Sequence, residues 1–261
     1  MEKGRTVKND ALLERIRVYW NEHIHDLEIA RHPIGSREFF GELADYRFEK
    51  LDYLPRVVDF SAYKGKRILE VGCGVGIDLI RFAKHGAIVT GIDLAEVSIQ
   101  LAKQYFAHEQ VDGELLVMNG EALQFDDNTF DMVYAHGVLQ YTADASQMIK
   151  EIHRVVKPGG EAIVMVYNRY SWLNLMSQLF GIALEHEDAP VLKKYSIKEF
   201  RVLLAPFARV RIIPERFPVK TRLHHGVKAL LYNQIFVQCF NAVPKSITRP
   251  FGWHLMALAT K

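Results

Sequence analysis

Three glycines at alternate positions, set between an apolar run and a helical stretch, constrain this chain more than any other feature. Arg67-Ile68-Leu69-Glu70-Val71 is short and nearly continuously apolar, the pattern of a buried strand. Gly72-Cys73-Gly74-Val75-Gly76 follows, and Ile77, Leu79, Ile80, Phe82 and Ala83 then mark a helix that stops at Gly86. Glycines after a strand and before a helix allow a sharp turn with backbone close to a ligand. The alternation continues with strands expected over 87–92, 115–117, 130–135 and 162–167. Helices are expected over 97–107 and 145–156, the second closed by Pro158-Gly159-Gly160. Such alternation means a parallel sheet with helices on both faces and right-handed crossovers. Its ligand crevice lies at the C-terminal ends of the strands, where strand order reverses.

Composition leaves room for this fold and removes others. With 261 residues, 49% hydrophobic and a formal net charge of +2, the chain is neither disordered nor too short for a real core. No stretch approaches the roughly 18 uninterrupted apolar residues of a bilayer span, and Met1 to Trp20 lacks the pattern of a secretory signal. Two cysteines, Cys73 and Cys239, cannot build a disulfide framework, so a cytoplasmic protein is expected. The charge is segregated. Residues 191–261 carry 13 Lys and Arg against Glu199 and Glu215 alone, a balance of +11, whereas residues 1–190 balance at −9.

The glycine spacing argues against a dinucleotide fold. G-x-G-x-x-G counted from Gly72 would put its third glycine at 77, where the chain has Ile77; the glycine stands one residue early, at Gly76. Glu70 just before the loop would repel a pyrophosphate, whereas it suits a ligand with a cationic or amino-acid end. In this pattern, Glu70-x-Gly72-x-Gly74-x-Gly76, the sequence resembles the class I S-adenosylmethionine (SAM)-dependent methyltransferases. Ordered segments carry the resemblance over residues 64–168. Beyond the glycine loop they are Asp93 ending Thr90-Gly91-Ile92-Asp93-Leu94-Ala95, then Asn119-Gly120-Glu121-Ala122-Leu123-Gln124-Phe125, and then Phe130 to Tyr141 with Arg154 to Gly160.

The resemblance implies a Rossmann-like, doubly wound, seven-stranded α/β sheet, mostly parallel with an antiparallel last strand. It implies SAM as cofactor, S-adenosylhomocysteine as product, and no metal. Glu70, Gly72, Cys73, Gly74 and Gly76 would wrap the methionine and ribose, and Asp93 with Leu94 would hold the ribose hydroxyls. Asn119, Gly120 and Glu121 would border the adenine, with Asn119 where the family commonly has aspartate. Ala135 and His136 would contact the cofactor from the fourth strand. Simpler roles stay open: Asp93 as a helix N-cap, Cys73 as a small packing residue.

Domain organisation is read as an N-terminal helical cap, residues 1–63, on a SAM-binding domain, residues 64–261, with insertions at 168–195 and 214–254. Trp172, Leu173, Leu175, Met176, Leu179 and Phe180 form an apolar face in the first insertion. The second joins an apolar helix expected over 227–240 to Arg216, Lys220, Arg222, Lys228, Lys245 and Arg249. This composition suits a peripheral membrane contact, a lipid-like or anionic acceptor, or a homodimer face. Methyl transfer from a sulfonium needs positioning above all, and an oxygen or carbon acceptor also calls for a base, for which His136, Tyr141 and Tyr19 are the candidates. Gln140 can orient the acceptor, and His23 and His25 can close the pocket. His23-x-His25 and His224-His225 lack convergent ligands for a metal. No Asn-Pro-Pro-Tyr or Asp-Pro-Pro-Tyr follows the fourth strand, which lowers nucleic acid as a substrate. The expected acceptor is a small hydrophobic or lipid-like molecule, methylated on oxygen or carbon before nitrogen. Alternatives are RNA or an acidic protein gripped by the basic C-terminal part, and a non-catalytic SAM-binding module.

Overall fold

The structure is a computed structural model that describes residues 2–181, 184–218 and 230–261. Its centre is β1 (Arg67–Val71), buried over its last four residues because both of its neighbours are parallel strands and both sheet faces are covered. β2 (Ile88–Asp93) and β3 (Glu114–Val117) continue the sheet on one side. β4 (Phe130–His136), β5 (Val156–Tyr167), β7 (His254–Thr260) and β6 (Arg209–Glu215) continue it on the other. The order is β3-β2-β1-β4-β5-β7-β6, with β7 antiparallel to both neighbours. This is the seven-stranded, mostly parallel sheet expected from the sequence. Strand order reverses between β1 and β4, so the crevice opens above β1 and its neighbours.

Alternate side chains of the strands feed two cores. On one face Ile68, Met132, Tyr134 and Ile163 pack with α4 (Ile77–Lys84) and α5 (Glu96–Glu109). The N-terminal helices join the same core: α1 (Glu2–Glu22), α2 (Arg37–Lys50) and α3 (Leu54–Val57). On the other face Leu69, Val71, Val133 and Val164 pack with α6 (Ala145–Val155) and α8 (Ile197–Leu203). α7 (Trp172–Phe180) follows β5. Capping chemistry sets the helix starts: Ser36, Ser171 and Ser196 each accept from a backbone N–H three residues on. Ser196 and Glu199 close a reciprocal capping box.

Two boundaries differ from the sequence reading. The fifth strand starts at Val156 rather than near Ala162, because Pro158-Gly159-Gly160 is a bulge within it. Phe130 pairs with Val156, the register shifts, and pairing resumes at Met132 with Glu161. Across the bulge Gly159 N–H donates to the Lys261 carbonyl and Lys261 N–H to that of Gly160. A Cβ at Gly160 would stand 2.8 Å from the Asp131 carbonyl oxygen. In the second insertion the described helix is a π-helical stretch, Leu231–Phe236, running into Val237–Ala242. Residues 227–229 of the expected helix lie outside the described residues, as do Lys220, Arg222, His224 and His225. No helix among the described residues is long and apolar enough to cross a membrane.

Candidate active site

The glycine loop is tied down by β2. Gly72 and Cys73 N–H groups both donate to the Ile92 carbonyl, at 2.8 and 2.9 Å, and Gly74 N–H donates to Asp93 Oδ2 at 2.9 Å. Gly72 and Gly74 have φ of +70° and +53°, and they need glycine for different reasons. A Cβ on Gly72 would stand 2.7 Å from Val138 Cγ2, whereas one on Gly74 would meet no atom of the other described residues within 4 Å. The space beside Gly74 is therefore left for something other than protein. Asp93 ends β2, and its Oδ1 accepts from Ala95 N–H at 2.9 Å. It thus shapes the turn before α5, although α5 begins on Ala95 as N-cap without a side-chain bond. Burial raises the Asp93 pKa against these N–H donors.

Glu70 is buried at the end of β1, and its Oε2 has no hydrogen-bond partner among the described residues. Burial, then the Asp78 carboxylate, pushes its pKa well up. A buried carboxylate oxygen without a partner is costly, and an ammonium group in the cavity would satisfy it. Asp78 opens α4 and is answered by Arg47 of α2, whose Nε donates at 2.6 Å and whose Nη2 bonds the second oxygen. Tyr134 Oη donates to the same carboxylate at 2.9 Å. Against the burial that would raise it, Arg47 holds Asp78 below the ordinary carboxylate range.

Two histidines stand behind this pair. Arg47 Nη2 lies 3.3 Å from His136 Nδ1, and Arg216 Nη1 lies 3.1 Å from His254 Nε2. A guanidinium only donates, so each imidazole accepts there and carries its proton on the other nitrogen. Both of those nitrogens point at Tyr53 Oη, at 3.0 Å from His136 and 2.6 Å from His254. Tyr53 reaches Met256 Sδ at 3.9 Å with its own proton. Burial, then Arg47, pushes His136 down to about 3; burial, then Arg216, pushes His254 well below its usual value. Both rings are neutral with both nitrogens engaged, so His136 has no free lone pair with which to act as a base.

One cavity of about 200 Å³ joins these features. Of the residues singled out from sequence, His23, His25, Glu70, Gly72, Cys73, Gly74, Asp93, Leu94, Asn119, Gly120, Glu121, His136 and Tyr141 line it. Gly76, Ala135, Gln140 and Tyr19 do not: Ala135 and Gln140 are fully buried, and Gly76 is the N-cap of α4. Asn119 Oδ1 already accepts from Glu121 N–H at 2.9 Å, and Glu121 Oε1 accepts from Thr142 Oγ1 and from Asp144 N–H. Cys73 is buried with its thiol pKa raised by that burial, and its Sγ would stand 3.0 Å from a Cβ at Gly91, which fits a packing role.

Of the far wall, sequence reasoning found Tyr141, His23 and His25 and missed the rest. Trp20, Ile24, Leu51, Tyr141, Met165 and Tyr167 give it an apolar surface. Lys50 bonds Asp26 Oδ1 at 2.7 Å and lies 3.0 Å from Glu185 Oε1, which also accepts from Arg216 Nη2 at 2.9 Å. Asp26, His186 and Arg216 all have left-handed backbone, φ +59°, +51° and +59°, strained positions that the surrounding packing must hold. Ligand atoms of His25, Asp26 and Glu185 lie within 4.8 Å of one another, as a metal site requires, but the Lys50 ammonium already bridges the two carboxylates.

Comparison with known proteins agrees with this architecture. A methyltransferase-domain family model matches residues 69–164. The ubiquinone biosynthesis O-methyltransferase of Coxiella burnetii is 38% identical over 106 residues, 41% of this chain and 45% of that one. The enzyme of the same name from Pseudomonas entomophila is 38% identical over 148 residues, 56% of this chain and 62% of that one. The chain thus spans about half the length of the curated relatives it matches. A SAM-dependent methyltransferase from Aquifex aeolicus has the same fold, with a TM-score of 0.56 at 17% identity over 86% of this chain and 98% of that one. A methyltransferase-domain match thus lies over residues 69–164, and the chain has the fold of SAM-dependent methyltransferases of known structure. The Aquifex aeolicus protein of this fold is named for its dependence on SAM.

Proposed function

We propose that the protein transfers the methyl group of SAM to a hydroxyl on a small, largely hydrophobic acceptor. The observation that carries this reading is the partnerless, buried Glu70 Oε2 in a cavity that runs from Asp93 to an apolar chamber. Glu70 receives the amino group of the methionine moiety, and the backbone of Gly72, Cys73 and Gly74 lies along the methionine and ribose. Asp93 accepts from the ribose hydroxyls, while Leu94, Asn119, Gly120 and Glu121 border the adenine. Bound, the cofactor supplies an electrophilic methyl carbon on its sulfonium. The chain holds the acceptor oxygen in line with that carbon and keeps water out. Trp20, Ile24, Leu51 and Tyr167 provide the apolar walls for this. In domain terms, residues 1–63 cap a SAM-binding domain, residues 64–261, whose insertions at 168–195 and 214–254 shape the acceptor end. The O-methyltransferase names of the relatives support an oxygen acceptor.

Calorimetric titration with SAM, S-adenosylhomocysteine and NAD in parallel tests the cofactor half. The expected result is micromolar binding of both SAM ligands and no NAD response; the reverse would overturn the reading. Transfer of labelled methyl to any small acceptor removes the alternative of a binding module without catalysis.

A membrane-surface acceptor is favoured by one further observation. Trp172 of α7 packs on Phe236 and Phe240 at 5.9 and 6.2 Å, which joins the two insertions. Leu175, Leu179, Leu230 and Ile235 remain more than half exposed there. Co-sedimentation with phosphatidylglycerol vesicles, and not with the protein alone, is expected; a protein that stays in the supernatant excludes this reading.

A further inference from the structure

An imidazole that serves this reaction as a base must present a lone pair to the acceptor end of the cavity, and His136 and His254 have none to offer. His25 lines the same cavity, from the loop between α1 and α2. Its Nδ1 lies 2.7 Å from His186 Nε2, His186 Nδ1 lies 3.1 Å from Tyr19 Oη, and Tyr19 donates to Asp188 Oδ1 at 2.8 Å. The proton positions follow from the last of these bonds. The Tyr19 proton is committed to the Asp188 carboxylate, so Tyr19 Oη can only accept from His186, whose proton is therefore on Nδ1. His186 Nε2 then accepts, and the His25 proton must be on Nδ1. His25 Nε2 is left with its lone pair and with no hydrogen-bond donor among the described residues.

We propose that His25 is the general base that takes the proton of the acceptor hydroxyl, held in its reactive tautomer by the positioning residues His186, Tyr19 and Asp188. The assignment rests on the O-methylation reading above. The acceptor oxygen forms its bond to the methyl carbon as the carbon–sulfur bond breaks. The sulfur keeps that electron pair as a neutral thioether, and the hydroxyl proton passes to His25 Nε2 and then to water. Asp26 Oδ2 and Glu185 Oε2 lie 3.7 and 3.8 Å from His25 Nε2, close enough to stabilise the imidazolium as it forms. The groups facing His25 are Asp26, Lys50, Glu185 and His186. The His25 side chain is 40% exposed toward the chamber; desolvation of its covered part pushes the pKa down to about 4, with Lys50 and His186 acting in the same direction and Asp26 and Glu185 against it. The ring is thus unprotonated, and its lone pair available, throughout the neutral range. His186 itself carries a left-handed backbone, the strained conformation that turns its ring between His25 and Tyr19.

Nitrogen-15 spectra of the full protein labelled at histidine, with S-adenosylhomocysteine added, test the tautomer without any turnover. The His25 signal, assigned by its loss in His25→Gln, is expected as the Nδ1-protonated form that free histidine disfavours. Tyr19→Phe should shift it toward the Nε2-protonated form; an Nε2-protonated His25 in the parent would overturn the proposal. Labelled-methyl transfer to p-nitrophenol, p-cyanophenol and p-cresol tests the base itself. His25→Gln should lose roughly a hundredfold or more in rate, most with the least acidic phenol, at unchanged SAM affinity. Asp188→Asn, at an exposed position, should give a smaller loss with the same trend. Transfer that survives His25→Gln within threefold would overturn the base and leave the function standing. A parent that binds SAM yet methylates none of these phenols would overturn O-methylation, and with it the base.

Discussion

At the scale of single residues, the site separates glycines that serve the fold from glycines that serve the ligand. Gly72→Ala would drive a Cβ into Val138 at a left-handed φ, so it should lower the melting temperature and abolish SAM binding together. Gly74→Val meets open space within the protein. It should cost on the order of 1–2 kcal/mol in backbone strain while blocking the cofactor; near-normal SAM affinity by calorimetry would mean the loop serves another ligand. Asp93→Ala removes an acceptor from Gly74 N–H and, in the proposed complex, from the ribose. Its SAM affinity should fall by roughly 1.5–3 kcal/mol, and unchanged affinity would remove the ribose from this carboxylate. Glu70, Gly72, Gly74 and Asp93 were legible in the sequence because each sits at a strand end, where local pattern alone fixes position. Arg47 and Asp78 were not, since an acidic residue in the first turn of a helix looks like ordinary dipole chemistry. Only the fold brings an arginine from 31 residues upstream to meet it.

At the scale of elements, legibility followed how local the determining physics is. β1 runs over the residues that its apolar run marks, because a strand flanked by parallel strands is buried on both faces and has glycines at its exit. The start of β5 could not be read. Pro158-Gly159-Gly160 breaks a helix on local grounds, and its absorption into a strand depends on hydrogen bonds to Lys261 at the chain's other end. The N-terminal helices showed their helicity but not their partners. Tyr53 finds His254 across 201 residues of sequence. The capping box of α8 offers a control that belongs to this scale. Ser196→Ala removes the bond to Glu199 N–H and should cost about 1 kcal/mol, read as a lower melting temperature. Phe200 of α8 packs in the core opposite the cap helices, so SAM affinity should not change; a coincident loss of affinity would mean that this face and the crevice are coupled.

At the scale of the whole molecule, the polar wall of the chamber fastens the helical cap to the sheet. Arg47 joins α2 to α4, Tyr53 joins the start of α3 to β4 and β7, and Glu185 joins Lys50 of α2 to Arg216 beyond β6. Cap and sheet should therefore unfold in a single transition. The same wall makes stability depend on pH in a window set by its histidines. His136 is held down to about 3 and His254 well below its usual value, while an unfolded histidine titrates near 6.5. Between those values the unfolded chain binds protons that the folded chain refuses, so stability rises with pH across the window and is lost as pH falls below about 6.5. From pH 7 to pH 5 each buried histidine should cost up to about 2 kcal/mol. His25, open to the chamber, contributes less. The carboxylates Asp78 and Glu185, held below their usual range by Arg47 and by Arg216 with Lys50 against the burial that opposes it, act only at lower pH. Urea midpoints at pH 7 and pH 5 measure the effect. The parent should lose up to about 2 kcal/mol more stability over that interval than His254→Gln, which starts lower at pH 7 but has one buried titrating ring fewer. Parallel pH curves for the two proteins would show that His254 does not stay neutral in the fold, and the tautomers assigned around Tyr53 would fall with it.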